Sequence, residues 1–297
     1  MVGALLLNGL IFLLGLPSPL PADAASGDAS FTVVAAGDIA TCNRRQPVLD
    51  SAYAKTAALV KPSDGIVLTL GDSTYPVGAL SEFRNCFNPT WGAFNTRLRP
   101  TPGNHEYMTR GAAGYFDYFA DLAGPGRRGY YSFDYGGWHF ISLNSNIDVS
   151  AQSPQYRWLI EDLARSRQTL CTIAYWHHPL FSSGLHGNNP KMAAFFAAAQ
   201  KAGVDIILNG HDHIYERFAP QTAEAVADPP GGVRQFVIGT GGAPTYPFRI
   251  FKANSEIRNN NSHGVVRFSL SPGNYSWRYE AIAVSRFSDA GSGQCHP

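Results

Sequence analysis

A carboxylate and a phenol three residues apart are the first side chains of this sequence that could hold a charged ligand. Asp72 and Tyr75 stand in the segment Gly71-Asp72-Ser73-Thr74-Tyr75, after the apolar, β-branched residues 65–70. That run predicts a buried strand, so Asp72 follows the carboxyl end of a strand, where open α/β sheets bind ligands. Two hard oxygen donors on one turn suit a multiply charged cation. Taken alone, the segment fits a helix N-cap beside a core tyrosine better.

The same design recurs at other predicted strand ends, and this recurrence favours a metal site. The five strand ends carry oxygen and imidazole donors: Asp38, Asp72 with Tyr75, Asn104 with His105, His177, and His211 with His213. In Gly210-His211-Asp212-His213 the two histidines point to the same side of an extended segment, as a pair of ligands must. Each position also has a plainer interpretation as a turn or a hydrogen-bonded loop residue. Together they occupy most of the predicted strand ends, which indicates a shared metal site.

The elements that must position these residues predict an α/β fold. Residues 31–36 and 65–70 form strands and residues 46–60 the crossover helix of a βαβ unit. Residues 130–135 and 138–143 alternate about two glycines and predict a hairpin. Further elements are predicted as helices at 115–121, 155–165 and 190–202, strands at 170–175, 204–208, 235–238, 265–270 and 275–282, and an exposed loop at 219–232. No repeat or long linker divides the chain, so we expect one domain over residues 26–297.

Composition bounds the classes of function. The chain has 297 residues, of which 44% are hydrophobic and 15% charged, and its formal net charge is +1. No basic stripe points to nucleic acid. Residues 4–16 are apolar except for Asn8 and two glycines, and they precede Ala22-Asp23-Ala24-Ala25. This pattern predicts a secretory signal peptide over residues 1–25, too short to span a bilayer comfortably, and hence a secreted protein. Because no Lys or Arg precedes the apolar run, a lipid-facing anchor is the alternative.

The four cysteines are Cys42, Cys86, Cys171 and Cys295, an even number without CxxC spacing. In an exported chain this favours disulfides over a thiolate zinc site. Of the three possible pairings we favour Cys42 with Cys86 and Cys171 with Cys295, because the first two lie in loops after neighbouring strands. Four unpaired, small hydrophobic side chains are the alternative.

The ordered motifs resemble a known family. The chain carries Gly37-Asp38-Ile39-Ala40, Gly71-Asp72-Ser73-Thr74-Tyr75, Gly103-Asn104-His105-Glu106, Trp176-His177-His178-Pro179 and Gly210-His211-Asp212-His213. This set resembles the signature of the calcineurin-like metallophosphoesterases, and the spacing of Asp72 and Tyr75 and the later Tyr215-Glu216-Arg217 resemble the purple acid phosphatases. The resemblance covers roughly residues 30–283 and implies a four-layer αββα sandwich of two mixed β-sheets flanked by helices, the metallophosphatase fold.

The resemblance implies two metal ions that share one aspartate. The first, Fe³⁺, would be held by Asp38, Asp72, Tyr75 and His213. The second, Fe²⁺, Zn²⁺ or Mn²⁺, would be held by Asp72, Asn104, His177 and His211. A hard trivalent ion would lower the pKa of Tyr75 from its reference of about 10. Two such ions clamp the attacking and leaving oxygens of a displacement at phosphorus.

The implied activity is a secreted phosphatase that hydrolyses phosphate monoesters by attack of a metal-bound hydroxide. His105 would bind the phosphate or protonate the leaving group. His186 resembles a second histidine that contacts substrate, and His178 fits an outer residue or the pocket wall. A phosphodiesterase or nucleotide pyrophosphatase on the same metals is the alternative, and a non-catalytic, metal-stabilised binding protein is the third. Expected partners are small phosphorylated substrates, and the oligomeric state is open.

Overall fold

Two mixed β-sheets form the centre of the computed structural model, which describes residues 30–42, 47–166, 171–282 and 287–296. The predicted signal peptide lies outside these residues. The strands are β1 Phe31–Ala36, β2 Ala40–Thr41, β3 Ile66–Leu70, β4 Thr74–Tyr75, β5 Leu98–Thr101, β6 Tyr131–Tyr135, β7 Trp138–Ser142, β8 Cys171–Tyr175, β9 Ile206–Asn209, β10 Tyr215–Phe218, β11 Arg234–Ile238, β12 Ser255–Asn259, β13 Gly264–Ser271, β14 Asn274–Ala281 and β15 Ala290–Gln294. The six-stranded sheet has the order β15-β14-β13-β1-β3-β5, and the seven-stranded sheet has the order β12-β10-β11-β9-β8-β7-β6. Strands β2 and β4 form a separate two-stranded ribbon.

Helices connect the strands and pack on the sheets. The α-helices are α1 Ala52–Val60, α2 Leu80–Glu82, α3 Asn104–Tyr107, α4 Ala113–Phe119, α5 Pro154–Arg165 and α6 Ala193–Lys201. Short 3-10 turns occupy Val48–Asp50, Trp91–Phe94, Arg110–Ala112, Ala120–Ala123, Pro125–Arg127 and Pro190–Met192, and a π turn occupies Phe83–Phe87. None of the helices among the described residues is both long and apolar enough to cross a lipid bilayer.

The seven-stranded sheet buries both of its faces. Alternate residues of a strand point to opposite sides of the sheet. In β8, Ile173 and Tyr175 pack in the core shared with the six-stranded sheet, whereas Ala174 packs on the other face. Leu159 of α5 and Phe195 of α6 belong to that second core. The layers are therefore helix, sheet, sheet and helix, and the expected sandwich of two mixed sheets is confirmed.

Parallel pairing brings the carboxyl ends of the central strands to one edge. Strands β1, β3 and β5 are parallel in one sheet, and β7, β8, β9 and β11 are parallel in the other. The two sets of ends are joined directly, because Gly37 N–H donates to Ile238 O at 2.8 Å and Gly241 N–H donates to Gly37 O at 2.9 Å. The loops that follow these strands consequently converge.

Several predicted elements have different bounds. The helix expected over residues 46–60 is a 3-10 turn followed by α1, since the Ser51 side chain accepts the Ala54 N–H at 3.2 Å and caps α1 there; Gln46 lies outside the described residues. The helix expected at 190–202 likewise begins with a 3-10 turn, and the strand expected at 204–208 begins at Ile206. The loop 219–232 is only partly exposed, because Gln221 is buried and bridges to Val233.

Both favoured disulfides are present. Cys42 bonds to Cys86, which ties the residue after β2 to the π turn, and Cys171 bonds to Cys295, which ties β8 to the residue after β15.

His139 in β7 bridges two carboxylates. Its Nδ1 lies 2.6 Å from Asp134 Oδ1 and its Nε2 lies 2.9 Å from Asp162 Oδ2. Burial alone would lower the pKa of His139, but these hydrogen bonds raise it above its ordinary value. His139 therefore has a structural role, in which it joins β7 to β6 and α5.

Candidate metal centre

Three candidate ligands have a backbone conformation that residues other than glycine rarely adopt. The φ angles of Asp38, Asp72 and His211 are 60°, 47° and 72°. The left-handed region costs such residues about 1–2 kcal/mol each, so it persists only where the surrounding structure enforces it. Strain of this kind clusters at functional sites, and here it occurs in three loops that meet at one edge of the fold.

Glycines next to candidate ligands let side chains approach the backbone closely. A Cβ atom on Gly103 would lie 2.2 Å from Asp72 Oδ1, and one on Gly71 would lie 2.5 Å from His177 Nδ1. Neither distance is compatible with a side chain larger than hydrogen. The glycines of the sequence motifs are therefore required for the donor atoms to come together.

Four donor atoms form the first cluster, around the phenol oxygen of Tyr75. The Tyr75 Oη atom lies 2.8 Å from Asp38 Oδ1, 3.2 Å from Asp72 Oδ2 and 3.0 Å from His213 Nε2. Tyr75 comes from β4, and His213 follows the end of β9 by four residues. All four side chains are buried, with exposed fractions between 0% and 8%. The cluster thus offers three oxygen donors and one imidazole to a ligand shielded from solvent.

The protonation of this cluster differs from what the sequence predicted for a loaded site. Burial, followed by the carboxylates of Asp38 and Asp72, raises the pKa of Tyr75 well above its ordinary value. Burial alone would lower the pKa of His213, but Asp38 outweighs it and raises that pKa. The protein alone therefore keeps the phenol protonated. A phenolate at this position requires a cation to compensate the neighbouring carboxylates.

A second cluster lies beside the first and is richer in nitrogen. His177 Nε2 lies 3.1 Å from Asn104 Oδ1 and 3.3 Å from Asp72 Oδ2. The rings of His177 and His211 have centroids 5.0 Å apart. Among the described residues, donor atoms of Asp38, Asp72 and His177 all lie within 4.8 Å of one another, which is close enough to surround a metal ion.

Electrostatic pairing in this cluster is strong. Burial alone would raise the pKa of Asp72, but the charge of His177 outweighs it and lowers that pKa far below its ordinary value. Burial would lower the pKa of His177, yet Asp72 raises it to about 9. The pKa of His211 is lowered by its burial and by the neighbouring His177. Without a metal ion, the cluster therefore combines an ionised carboxylate, Asp72, with a protonated imidazole, His177, and a neutral one, His211.

Asp72 Oδ2 belongs to both clusters, because it lies 3.2 Å from Tyr75 Oη and 3.3 Å from His177 Nε2. One carboxylate between two groups of donors is the arrangement that a pair of cations with a shared ligand needs. The donor chemistry fits as well, since carboxylates and a phenol suit a hard ion, whereas imidazoles and an amide suit a softer one. The residues present therefore fit two ions.

The imidazoles are oriented as metal-binding histidines usually are. His177 Nδ1 hydrogen-bonds to Leu70 O at 2.8 Å, and His213 Nδ1 hydrogen-bonds to Pro244 O at 2.6 Å. With a hydrogen on each Nδ1, Nε2 faces the cluster and would offer its lone pair to a metal ion that displaces the second proton. The seven residues predicted as ligands thus lie together at one edge: Asp38, Asp72, Tyr75, Asn104, His177, His211 and His213.

The first of the two predicted catalytic histidines, His105, lies over the first cluster. Its ring centroid is 4.3 Å from that of Tyr75, and its Nε2 is 3.9 Å from Asp72 Oδ2. Its Nδ1 contacts Pro76 O at 2.5 Å, which leaves Nε2 directed toward Asp72. His105 is thus close to the shared carboxylate without occupying a ligand position.

The second, His186, lies over the second cluster at the exposed rim. Its ring stacks on that of His211, with centroids 4.3 Å apart and 28° between the planes. The buried Asp212 holds the segment in place, because it accepts the His186 N–H at 2.8 Å and the Ser182 hydroxyl at 2.5 Å. This role of Asp212 was not predicted, although an acid between two candidate ligands, His211 and His213, is a signal in the sequence that could have indicated it.

Glu106 is a further residue whose role the sequence analysis did not recognise. Its fully buried carboxylate accepts the N–H groups of Asp72 at 2.9 Å, Ser73 at 2.8 Å and Gly103 at 2.6 Å. It therefore joins the loop after β3 to the loop after β5. Burial and the Asp72 carboxylate raise the pKa of Glu106 to about 8, whereas these N–H donors oppose the rise. Its place in the Gly103-Asn104-His105-Glu106 motif was the available signal.

Tyr246 completes the rim and has no signal in the sequence. Its ring stacks on His213, with centroids 3.9 Å apart and 10° between the planes. It also lies 5.5 Å from the ring of His186. The rim of the site is therefore aromatic next to the first cluster and rich in imidazole next to the second.

Comparison with known proteins agrees with this geometry. The sequence profile described as Calcineurin-like phosphoesterase matches residues 31–215. Purple acid phosphatase 15 of Arabidopsis thaliana is 29% identical over 222 residues, which cover 62% of this chain and 41% of that protein. Purple acid phosphatase 21 of the same plant is 32% identical over 183 residues, which cover 54% of this chain and 41% of that protein. The chain spans about two fifths of the length of these relatives.

A solved structure has the same fold over most of the chain. The purple acid phosphatase PPD1 from yellow lupin seeds superposes with a TM-score of 0.71 at 19% identity, over 90% of this chain and 54% of that chain. At this level of identity the similarity establishes the fold alone.

Proposed function

The chain belongs to the calcineurin-like phosphoesterase family, and from that premise we propose that it is a two-metal hydrolase of phosphate monoesters. One observation carries the proposal: Asp72 Oδ2 lies within 3.3 Å of both Tyr75 Oη and His177 Nε2, so that a single carboxylate belongs to both donor clusters. The similarity to plant purple acid phosphatases supports the same activity. Small phosphorylated molecules are the proposed substrates.

We assign the first cluster to Fe³⁺ and the second to Fe²⁺, Zn²⁺ or Mn²⁺. The first would be held by Asp38, Asp72, Tyr75 and His213, and the second by Asp72, Asn104, His177 and His211. The oxygen-rich set favours the harder ion and the imidazole-rich set the softer one. When bound, the two ions supply the positive charge that polarises a phosphate ester and makes water a nucleophile near neutral pH.

The two rim histidines act on the substrate. His105 is oriented through Nδ1 by the 2.5 Å contact with Pro76 O, so that Nε2 can hold a proton for the oxygen of the leaving group. His186 projects from the exposed rim above His211, where a phosphate oxygen or the leaving group would pass. Both roles are part of the proposal.

We also propose that the protein is exported, with residues 1–25 as its signal peptide and residues 26–297 as one catalytic domain. The two disulfides support export, since such bonds persist mainly in oxidising compartments. Mass spectrometry of the protein released by its native host should give a chain that begins after residue 24 or 25. An intact N-terminus on released protein would refute the signal peptide.

The experiment that tests the activity is a comparison of metal content and turnover. Purified protein should contain two metal ions, hydrolyse nitrophenyl phosphate, and lose activity on chelation. Asp72→Asn should lose both the metals and the activity, whereas Asp121→Asn, a matched change at an exposed aspartate, should keep them. Faster hydrolysis of bis-nitrophenyl phosphate than of the monoester would make the protein a phosphodiesterase. Full activity in Asp72→Asn after chelation would refute the two-metal mechanism.

A further inference from the structure

His178 stands beside the second cluster and has no role in the ligand set. Among the described residues, ring nitrogens of His177, His178 and His211 all lie within 4.8 Å of one another. The rings of His178 and His211 have centroids 4.3 Å apart. His178 is partly exposed, whereas its neighbour His177 is completely buried. His178 is therefore partly accessible to solvent beside the second cluster.

The Ser145 side chain contacts His178 at two points. The Ser145 Oγ atom accepts the backbone N–H of His178 at 3.2 Å and lies 2.8 Å from His178 Nδ1. Because Ser145 Oγ already accepts the backbone N–H, its hydroxyl hydrogen is free to donate to His178 Nδ1. A neutral imidazole that accepts through Nδ1 carries its hydrogen on Nε2. Nε2 is then a donor without a lone pair for a metal ion.

This tautomer is the opposite of the one held by the candidate ligand beside it. In His177, Nδ1 faces a carbonyl oxygen, Leu70 O at 2.8 Å, and must donate to it. In His178, Nδ1 faces a hydroxyl that can donate. With a metal ion bound to His177 and the Ser145 hydroxyl donating to His178, two consecutive histidines would present different groups: a lone pair from His177 and an N–H from His178. An N–H beside a metal ion is suited to an oxygen of a bound anion.

We propose that His178 is a phosphate-binding residue, which donates Nε2–H to a phosphate oxygen of the substrate while Ser145 holds its tautomer. The inference rests on the proposed phosphatase function and adds a contact that the predicted site residues do not include. It requires no change in the ligand set, since Asp72, Asn104 and His211 accompany His177 in the second cluster without it.

Inorganic phosphate is the probe that tests this contact. Its binding to the metal-loaded protein is measured by isothermal titration calorimetry, with metal content determined on the same samples. His178→Phe keeps a ring of similar size without a donor, and His178→Gln keeps an N–H without the ring. We expect phosphate binding to weaken about ten-fold or more in His178→Phe and less than three-fold in His178→Gln, with both ions retained. The matched control, His296→Phe, changes a half-buried histidine paired with Asp205 and should bind as the wild type does.

Each other outcome overturns the inference. Unchanged phosphate affinity in His178→Phe would make the residue a pocket wall, and loss of one ion would make it a ligand. If His178→Phe does not fold, Ser145→Ala decides: weaker phosphate binding supports the donor role, and unchanged binding refutes it. Failure of the proposed phosphatase function can be told apart from failure of the His178 inference alone. In the first case the wild type itself would bind no phosphate, and the inference would fail with it.

Discussion

Replacing Gly103 by alanine tests whether close packing against Asp72 holds the site together. The φ angle of Gly103 is −105°, which alanine adopts without strain, so the added methyl group is the main perturbation. Its Cβ would lie 2.2 Å from Asp72 Oδ1 and 2.4 Å from the backbone nitrogen of Asp72, whereas ordinary contact begins at 3.4 Å. The side-chain oxygen can rotate away, but the backbone nitrogen cannot. The loops after β3 and β5 must therefore separate by about 1 Å.

The cost of this separation follows from what the two loops share. Overpacking of a buried position costs about 1–3 kcal/mol. The hydrogen bond from His105 N–H to Asp72 Oδ1, 2.8 Å long, would also be lost, which adds about 1.5–3 kcal/mol because the acceptor is charged. We expect Gly103→Ala to lower the free energy of unfolding by about 2.5–6 kcal/mol. A displacement of about 1 Å at the shared carboxylate should reduce kcat/KM about 100-fold.

Urea unfolding of the metal-free protein measures the first effect, and metal content with steady-state kinetics measures the second. Gly111→Ala is the matched control, because its φ angle of +62° introduces strain while no atom lies within 4 Å of the added methyl group. In the control the free energy of unfolding should fall by about 1–2 kcal/mol, and the metals and the activity should be retained. If the free energy of unfolding of Gly103→Ala is within about 0.5 kcal/mol of the wild-type value and the variant binds both ions, close packing at Gly103 does not hold the site together.

Four other changes test separate parts of the site and the fold. Tyr75→Phe should abolish the visible charge-transfer absorption of protein loaded with ferric iron, and an unchanged spectrum would remove Tyr75 from the ligand set. His105→Ala should slow the hydrolysis of an alkyl phosphate far more than that of nitrophenyl phosphate, because a poor leaving group needs the proton more; equal losses on both esters would contradict the acid role. Asp212→Asn should lower kcat/KM about ten-fold in the wild type but should have no further effect in a His186→Ala background. Additive losses in this double-mutant cycle would show that Asp212 does not act through His186. The pKa of His139 is raised by its two carboxylate partners although burial opposes this, so its contribution to the free energy of unfolding is full below about pH 6.5 and is lost as the pH rises through the raised pKa. Urea titrations at several pH values should show that the difference in the free energy of unfolding between wild type and His139→Gln becomes smaller as the pH rises. A difference that is constant with pH would refute this.

The support of the site depends on contacts between segments far apart in the chain. Glu106 follows β5 and binds the backbone of the loop after β3, and Tyr246 stacks on His213 from a loop 33 residues later. Neither contact follows from the spacing of residues, because hydrogen-bond partners and ring stacking are determined only when the loops meet. The break between the 3-10 turn and α1 has a local cause, the Ser51 cap, which the apolar periodicity of residues 46–60 concealed.

The sequence by itself determined the donor residues and the edge at which they meet. Strand periodicity positions Asp38, Asp72 and His177 after strand ends, and parallel pairing then brings those ends to one side of the sheets. It also favoured the observed disulfides, although all three pairings were open. Only the tertiary structure decided that Asp72 Oδ2 is shared by two clusters, and that Nδ1 faces a carbonyl oxygen in His177 but a hydroxyl in His178. Both facts depend on distances of a few ångströms between atoms of different loops, and only the packing of the two sheets determines such distances.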